Sequence, residues 1–151
     1  MNFAIYNKLL FMNDPIEYKP NESEFLMSKI LIIEDDKFLR DLLSQKLSRE
    51  GFKVTAAVDG EGGLKSAVED APDLILLDLV LPGIDGFSIL EKIKKETKLS
   101  SVPVLILSNL GQKEDVDRAL ALGAVDFMIK ANFTPGEISG RIKLILKKKY
   151  L

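Results

Sequence analysis

Two residue types that dominate the chemistry of protein sites are missing: the 151 residues include no cysteine and no histidine. The lack of cysteine excludes a disulfide framework, a thiolate nucleophile and a thiolate metal site. It also fits a reducing compartment, so we expect a cytoplasmic protein. The lack of histidine removes the commonest general base and metal ligand, and it excludes a phosphohistidine carrier. Any chemistry must therefore use carboxylates, lysines, hydroxyl groups and the backbone.

Long hydrophobic runs are missing as well. No apolar run approaches the roughly 20 residues that cross a bilayer, so we expect no membrane partner. Apolar residues make up 46% and charged residues 29% of the chain, which is ordinary for a globular protein. This length suits one domain, which buries roughly two-thirds of its unfolded surface.

Residues 1–26 differ from the rest of the chain. They contain two prolines and several asparagines, with no sustained helical or strand period. Asn7 and Lys8 interrupt the first apolar run and no small-residue cleavage site follows, so the segment is a poor signal peptide. The net charge of the whole chain, −2, lies here: the charged residues are Lys8, Asp14, Glu17, Lys19, Glu22 and Glu24. We predict a poorly ordered N-terminal extension over residues 1–26 and a folded domain over residues 27–151.

From residue 29 onward, short apolar runs alternate with stretches of helical periodicity. The runs predicted as strands are residues 30–33, 52–57, 74–77, 102–107 and 125–129. A helix is predicted after each strand. Five such βα units predict an α/β fold built on a doubly wound, five-stranded parallel sheet.

The first helix is marked by apolar residues that recur at helical spacing, and Gly51 ends it: these residues are Phe38, Leu39, Leu42, Leu43 and Leu47. The last helix, residues 135–149, should bury Ile138, Ile142 and Ile145. Gly62 and Gly63 in the second helix cost roughly 1 kcal/mol each, so we expect that helix to be the softest.

The stretch DLILLDLVLPGIDG, residues 73–86, is the most informative part of the sequence. A continuous apolar run of this kind is typical of a strand buried on both faces of a parallel sheet. Asp78 follows it, at the end of the strand where open α/β sheets bind their ligands. The alternative is that Asp78 only caps the next helix, but Asp85 stands closer to that helix and is the better cap candidate.

Polar residues follow four of the predicted strands: Glu34 and Asp35, then Asp78, Ser108 and Lys130. Because parallel strands end at one edge of the sheet, these side chains should meet there. Two carboxylates about 4 Å apart repel by about 4 kcal/mol at an effective dielectric constant near 20, so such a cluster needs a cation. With oxygen ligands alone, that cation is Mg²⁺. The alternative is an Asp–Lys salt bridge with a capping serine.

These residues lie in the motifs ILIIEDDKFLR, DLILLDLVLPGIDG, VPVLILSN and GAVDFMIK. In this order and spacing the motifs resemble the receiver domains of two-component response regulators, the CheY-like family, from about residue 29 to residue 146. The resemblance implies a flavodoxin-like fold with strand order 2-1-3-4-5. It also implies that Asp78 is the phosphoacceptor, and that Asp35, Asp78 and the main-chain carbonyl of Val80 bind Mg²⁺. Glu34 would hold a metal-bound water.

The resemblance further implies a switch. Ser108 would be the hydroxyl that moves to the phosphoryl group, Lys130 its ion-pair partner, and Phe127 the aromatic residue that turns inward on activation. The family usually has Lys-Pro with a cis peptide bond where this chain has Lys130-Ala131, and a cis bond before a residue other than proline costs about 3 kcal/mol. That loop could therefore be rearranged, although we expect Lys130 to reach the site.

Two further departures bear on reactivity. Asn109 stands where a smaller residue is usual, which would narrow access for phosphodonors. In this family, the residues at the sites of Val80 and Leu110 orient the water that hydrolyses the phosphoryl group. Both residues are apolar here. We therefore predict slow self-dephosphorylation.

The sequence thus predicts a stand-alone receiver that is not a conventional enzyme. It would take a phosphoryl group from a sensor histidine kinase or phosphotransfer protein and then engage an unknown downstream protein or a second copy. No helix-turn-helix pattern is found, so we expect no DNA-binding domain. One alternative is a haloacid-dehalogenase-like phosphatase, which needs a second Asp where Val80 stands. The other is a pseudo-receiver that binds partners without phosphorylation.

Overall fold

The computed structural model describes residues 27–149. The predicted poorly ordered extension over residues 1–26 lies outside these residues. The predicted fold is confirmed: five parallel strands form one sheet in the order 2-1-3-4-5.

Strands and helices alternate along the whole described chain. The strands are β1 (Lys29–Ile33), β2 (Lys53–Ala57), β3 (Leu74–Leu77), β4 (Val104–Ser108) and β5 (Asp126–Ile129). The helices are α1 (Lys37–Arg49), α2 (Gly60–Asp70), α3 (Gly86–Lys95), α4 (Lys113–Ala121) and α5 (Pro135–Lys149). A short 3₁₀ turn, Lys130–Asn132, connects β5 to α5.

The sheet is covered on both faces, which explains its nearly continuous apolar strands. One core lies under α2, α3 and α4 and receives Leu31 and Ile33 from β1. The other lies under α1 and α5 and receives Ile30 and Ile32 from the same strand. Because the strand order reverses at β1, with β2 on one side and β3 on the other, a crevice forms at the carboxyl ends of β1 and β3.

Aspartates begin three of the helices. Asp36, Asp59 and Asp85 each accept a hydrogen bond from a backbone N–H in the first turn of α1, α2 and α3. Asp85 Oδ1 accepts from Phe87 N at 3.0 Å and from Ser88 N at 3.2 Å. These bonds satisfy N–H groups that have no partner within the helix. Asp85 therefore caps α3, and Asp78 is left available for another role.

Not all of the apolar residues that recur at helical spacing in α1 are buried. Phe38 is 78% exposed and Leu42 is 38% exposed, whereas Leu43 and Leu47 are fully buried. The apolar residues of this helix extend around more of its circumference than the sheet covers, so only one side of them reaches the core. In α5 the predicted Ile145 is only partly buried, and Leu146 is fully buried instead.

The glycines of α2 allow the helix to approach its neighbours closely. A Cβ atom on Gly63 would collide with the side chain of Ile33 in β1, and one on Gly60 would collide with Ile89 in α3. Their cost in helix propensity is therefore offset by packing that a larger residue would prevent.

Among residues 27–149, no helix combines the length and the apolar character that crossing a bilayer requires.

Replacing glycine by alanine should lower the free energy of unfolding at one helical glycine and raise it at another. Gly63→Ala should lower the free energy of unfolding by about 1–3 kcal/mol, because the added methyl group overpacks the core against Ile33. Gly140→Ala in α5 should raise it by about 0.5–1 kcal/mol, since no atom lies within 4 Å of the new methyl group and alanine favours the helix. Urea denaturation of both variants measures the difference. Equal effects at the two sites would contradict this account of α2.

Candidate functional site

The polar residues that follow the strands are placed at one edge of the sheet. Glu34 and Asp35 follow β1 directly, and Asp78 follows β3, the neighbouring strand. Ser108 is the last residue of β4, and Lys130 comes directly after β5. Each side chain is thus positioned by the end of a buried parallel strand.

Three carboxylates form a cluster at this edge. One oxygen from each of Glu34, Asp35 and Asp78 lies within 4.8 Å of the other two. Glu34 and Asp78 are buried, while Asp35 is exposed to solvent. Ligands of this kind, hard oxygens with one side open to water, suit Mg²⁺. The residues present therefore fit a magnesium ion.

Lys130 lies within this cluster. Its Nζ atom is 2.7 Å from Asp78 Oδ2 and 2.5 Å from Glu34 Oε1. The described residues contain no cis peptide bond, so Lys130 reaches the carboxylates from a trans Lys130-Ala131 peptide at the start of the 3₁₀ turn. The ammonium group of Lys130 therefore lies next to Asp78 even though Ala131 stands where the family usually has proline.

The charges of the cluster depend on one another. Burial raises the pKa of Glu34 to about 7, with a further rise from the charge of Asp78, although Lys130 acts in the opposite direction. Burial acts to lower the pKa of Lys130, but its hydrogen bonds to Asp78 and Glu34 raise it above the usual value. Lys130 therefore stays charged at neutral pH, whereas Glu34 can gain or lose a proton.

The backbone orients the other oxygen of Asp78. Asp78 Oδ1 accepts a hydrogen bond from the N–H of Val80 at 3.1 Å, while Oδ2 accepts the bond from Lys130. The side chain of Val80 is 55% exposed, at the mouth of the site. Both oxygens of Asp78 thus have defined partners.

Arg40 is a site residue that the sequence analysis missed. Its Nη1 atom donates to the main-chain oxygens of Glu34, at 2.9 Å, and Asp35, at 3.1 Å. It therefore holds the turn that carries two of the three carboxylates. Its spacing, five residues after Asp35 on the first turns of a capped helix, is a weak signal that many surface arginines share.

Ser108 and Phe127 are placed differently from the carboxylates. Ser108 is fully buried, and its hydroxyl oxygen accepts a hydrogen bond from the N–H of Leu110 at 3.4 Å. Phe127 is also fully buried, in the core under α2, α3 and α4, and it pairs with Ile106 of β4. The structure therefore shows Phe127 in an inward position only, and its proposed movement stays a prediction.

The model of the response regulator receiver domain family matches residues 30–143 of the sequence. The chain belongs to this family. Among curated relatives, the receiver is 39% identical over 122 residues to the DNA-binding dual master transcriptional regulator RpaA of Synechocystis sp., covering 81% of this chain and 50% of RpaA. It is 38% identical over 120 residues to the alkaline phosphatase synthesis transcriptional regulatory protein PhoP of Bacillus subtilis, covering 80% of this chain and 49% of PhoP.

Solved structures show the same relationship. A response regulator receiver domain protein (CheY-like) from Methanospirillum hungatei has a TM-score of 0.77 and 27% sequence identity, over 82% of this chain and 97% of that one. The predicted CheY-like family is thus confirmed, and the relatives are named as regulators rather than as enzymes.

The curated relatives overturn one prediction. RpaA is by name a DNA-binding transcriptional regulator, and this receiver spans about half the length of RpaA and of PhoP. The expectation of partners without a DNA-binding domain is therefore wrong. The lack of a helix-turn-helix pattern in this sequence is no guide to the output, because the receiver matches only part of such regulators.

Removing the ammonium group should destabilise the receiver. In buffer with a chelator, Lys130→Met should lower the free energy of unfolding by about 3 kcal/mol, because the buried carboxylates of Glu34 and Asp78 lose their counter-charge. The loss should be smaller at pH 6 than at pH 8, since Glu34, with a pKa of about 7, is largely protonated at the lower pH.

The matched control is Lys113→Met. Lys113 forms an exposed i,i+4 pair with Asp117, and its loss should change the free energy of unfolding by less than about 0.5 kcal/mol. Chemical denaturation of both variants at both pH values measures the effect. Similar small losses for both lysines would show that the buried ion pair contributes little.

Proposed function

We propose that this receiver accepts a phosphoryl group on Asp78 and thereby switches the surface of the domain. The observation that carries the proposal is the position of Asp78, buried beside Glu34 and Asp35 with the Lys130 ammonium 2.7 Å from one of its oxygens. A carboxylate with a cation on one side and a fitting metal site on the other is suited to phosphoryl transfer.

Mg²⁺ would be held by the carboxylates of Asp35 and Asp78 and the main-chain carbonyl of Val80, with Glu34 holding a metal-bound water. When bound, the ion neutralises charge on the transferred group. The donor set supports this assignment, because it consists of oxygen ligands on a rigid strand end with one exposed member.

In the transfer, a carboxylate oxygen of Asp78 attacks the phosphorus atom of a phosphohistidine. A P–O bond forms, the P–N bond breaks, and the electron pair of that bond stays on the leaving imidazole. Lys130 then donates to the new phosphoryl oxygens instead of to the free carboxylate, which stabilises the charge that develops there. Since the acceptor is the domain's own side chain, the reaction modifies the domain and does not turn over a separate substrate.

The switch would involve Ser108 and Phe127. Ser108 ends β4, next to β5, which carries Phe127 and leads directly to Lys130. A hydroxyl group that moves toward the phosphoryl group would change the packing around Phe127 and so the surface formed by α4, β5 and α5. The names of RpaA and PhoP support control of transcription as the output of this signalling.

Intact-mass measurement tests the proposal directly. After incubation with acetyl phosphate and Mg²⁺, the protein should gain the mass of one phosphoryl group, and the gain should disappear slowly after the donor is removed. Asp78→Asn should show no gain, and neither should the unmodified protein in a chelator.

Asp126→Asn is the control that distinguishes a specific loss of phosphorylation from a loss of phosphorylation through unfolding. Asp126 is a buried aspartate at the opposite edge of the sheet, paired with Arg141, and its replacement should leave phosphorylation intact. A folded, Mg²⁺-binding protein that never gains mass would contradict the proposal and favour a pseudo-receiver.

Binding of Mg²⁺ should depend on pH. Because the pKa of Glu34 is raised to about 7, this carboxylate is mostly protonated at pH 6 and mostly ionised at pH 8. We expect the affinity for Mg²⁺, measured by isothermal titration calorimetry, to be roughly tenfold higher at pH 8 than at pH 6, since protons compete with the ion. Glu34→Gln should remove most of this dependence, and a dependence that persists in the variant would contradict the assignment.

A further inference from the structure

The turn between β1 and α1 carries two of the three carboxylates. On the strand side, the N–H of Glu34 donates to the carbonyl oxygen of Ala57 at 3.0 Å, as part of the pairing with β2. On the helix side, the N–H of Arg40 donates to the carbonyl oxygen of Asp36 at 2.9 Å. The carbonyl groups of Glu34 and Asp35 lie between these two bonds. Their orientation therefore depends on the other donors that they find.

Arg40 donates to both of these carbonyl groups with one nitrogen atom. Its Nη1 is 2.9 Å from the oxygen of Glu34 and 3.1 Å from the oxygen of Asp35. Because two successive carbonyl oxygens converge on the same atom, the contact restricts the orientation of both peptide groups. The helix that carries Arg40 is anchored in the core by Leu43 and Leu47. The packing of α1 is thus transmitted to the turn.

The carboxylate of Asp35 depends on this turn more than the other two do. Asp78 accepts hydrogen bonds from Val80 and Lys130, and Glu34 forms an ion pair with Lys130. Within residues 27–149, no hydrogen bond or ion pair holds the exposed side chain of Asp35. Its place within 4.8 Å of the other two carboxylates is therefore set by its backbone.

We propose that Arg40 is a positioning residue for the metal site. By holding the backbone of the turn, it keeps the carboxylate of Asp35 directed toward Asp78 and so strengthens the binding of Mg²⁺. This role rests on the proposed function, which assigns the ion to these two carboxylates. A ligand that is already in position loses less conformational freedom when the metal binds. Groups that orient metal ligands typically change the affinity for the metal 10–100-fold.

The charge of Arg40 acts in the opposite direction. A guanidinium group near the cluster repels a divalent cation, so the loss of its charge alone would strengthen Mg²⁺ binding. The loss of its hydrogen bonds would weaken Mg²⁺ binding. The direction of the change in affinity therefore distinguishes a positioning role from a purely electrostatic one.

Two substitutions of Arg40 in the full-length protein test the role. Arg40→Met keeps an apolar side chain but has no donor, and it should weaken Mg²⁺ binding about tenfold or more in isothermal titration calorimetry. Arg40→Lys keeps a charged donor that can approach both carbonyl groups, and it should recover most of the affinity.

The matched control is Arg49→Met. Arg49 is exposed and lies in the last turn of the same helix, away from the carboxylates. Its replacement removes the same charge and the same kind of side chain from α1. The affinity for Mg²⁺ should stay unchanged.

A second readout separates positioning from a general loss of structure. In a chelator, Arg40→Met and the unmodified protein should unfold at nearly the same urea concentration, because water can replace the donor at this exposed turn. A fixed concentration of Mg²⁺ should stabilise the variant less, since the gain depends on the ratio of the metal concentration to Kd. Saturating Mg²⁺ should restore the rate at which acetyl phosphate modifies the variant.

Three results would overturn the proposal. The first is an Arg40→Met variant that binds Mg²⁺ as tightly as the unmodified protein or more tightly. The second is an equal weakening by Arg49→Met, and the third is a failure of Arg40→Lys to recover affinity.

The proposed phosphoryl transfer can fail separately from the role of Arg40. Mg²⁺ binding that follows these expectations without any gain of mass would overturn the transfer to Asp78 alone. If the unmodified protein bound no Mg²⁺, the metal site and the role of Arg40 would be overturned together.

Discussion

The structure depends on one charge arrangement, the Lys130 ammonium held between the carboxylates of Glu34 and Asp78. A parallel sheet brings the ends of its strands together, and here this places like charges in a poorly solvated edge, where their repulsion is large. Lys130 offsets that repulsion in the absence of a metal. In the proposed transfer the same ammonium would follow charge onto the phosphoryl group, so the interaction that allows the edge to fold would also serve the proposed chemistry.

The neighbouring parts of the fold keep this arrangement in place. Arg40 fixes the turn after β1 through two main-chain oxygens, and the N–H of Val80 fixes one oxygen of Asp78. Asp85 takes over the capping of α3, which frees Asp78 from a structural role. Close packing of α2 on β1, permitted by Gly63, supports the strand that carries Glu34 and Asp35. Rigid elements thus position the carboxylate of Asp78, as the proposed chemistry requires.

Similarity to RpaA and PhoP identifies the family, but it covers only about half of each regulator. The resemblance to the family leaves departures, among them the Lys130-Ala131 turn and the apolar residues Val80 and Leu110. Phe38 and Leu42 recur at helical spacing with the buried Leu43 and Leu47, yet both are exposed. Their exposure shows that an apolar position at helical spacing does not always reach the core.

The sequence by itself determined the α/β class and the residues that meet at the sheet edge, and its resemblance to the receiver family implied the strand order. Apolar runs ending in Glu34, Asp78 and Lys130 are local patterns, and the parallel topology converts them into a shared location. Only the tertiary structure decided that Lys130 bonds both carboxylates, that Arg40 supports them, that Phe127 is buried and that Phe38 is not. These outcomes depend on which side of each element faces a neighbour and on distances of a few ångströms. Such distances are set by packing between segments far apart in the chain, which periodicity within one segment does not encode.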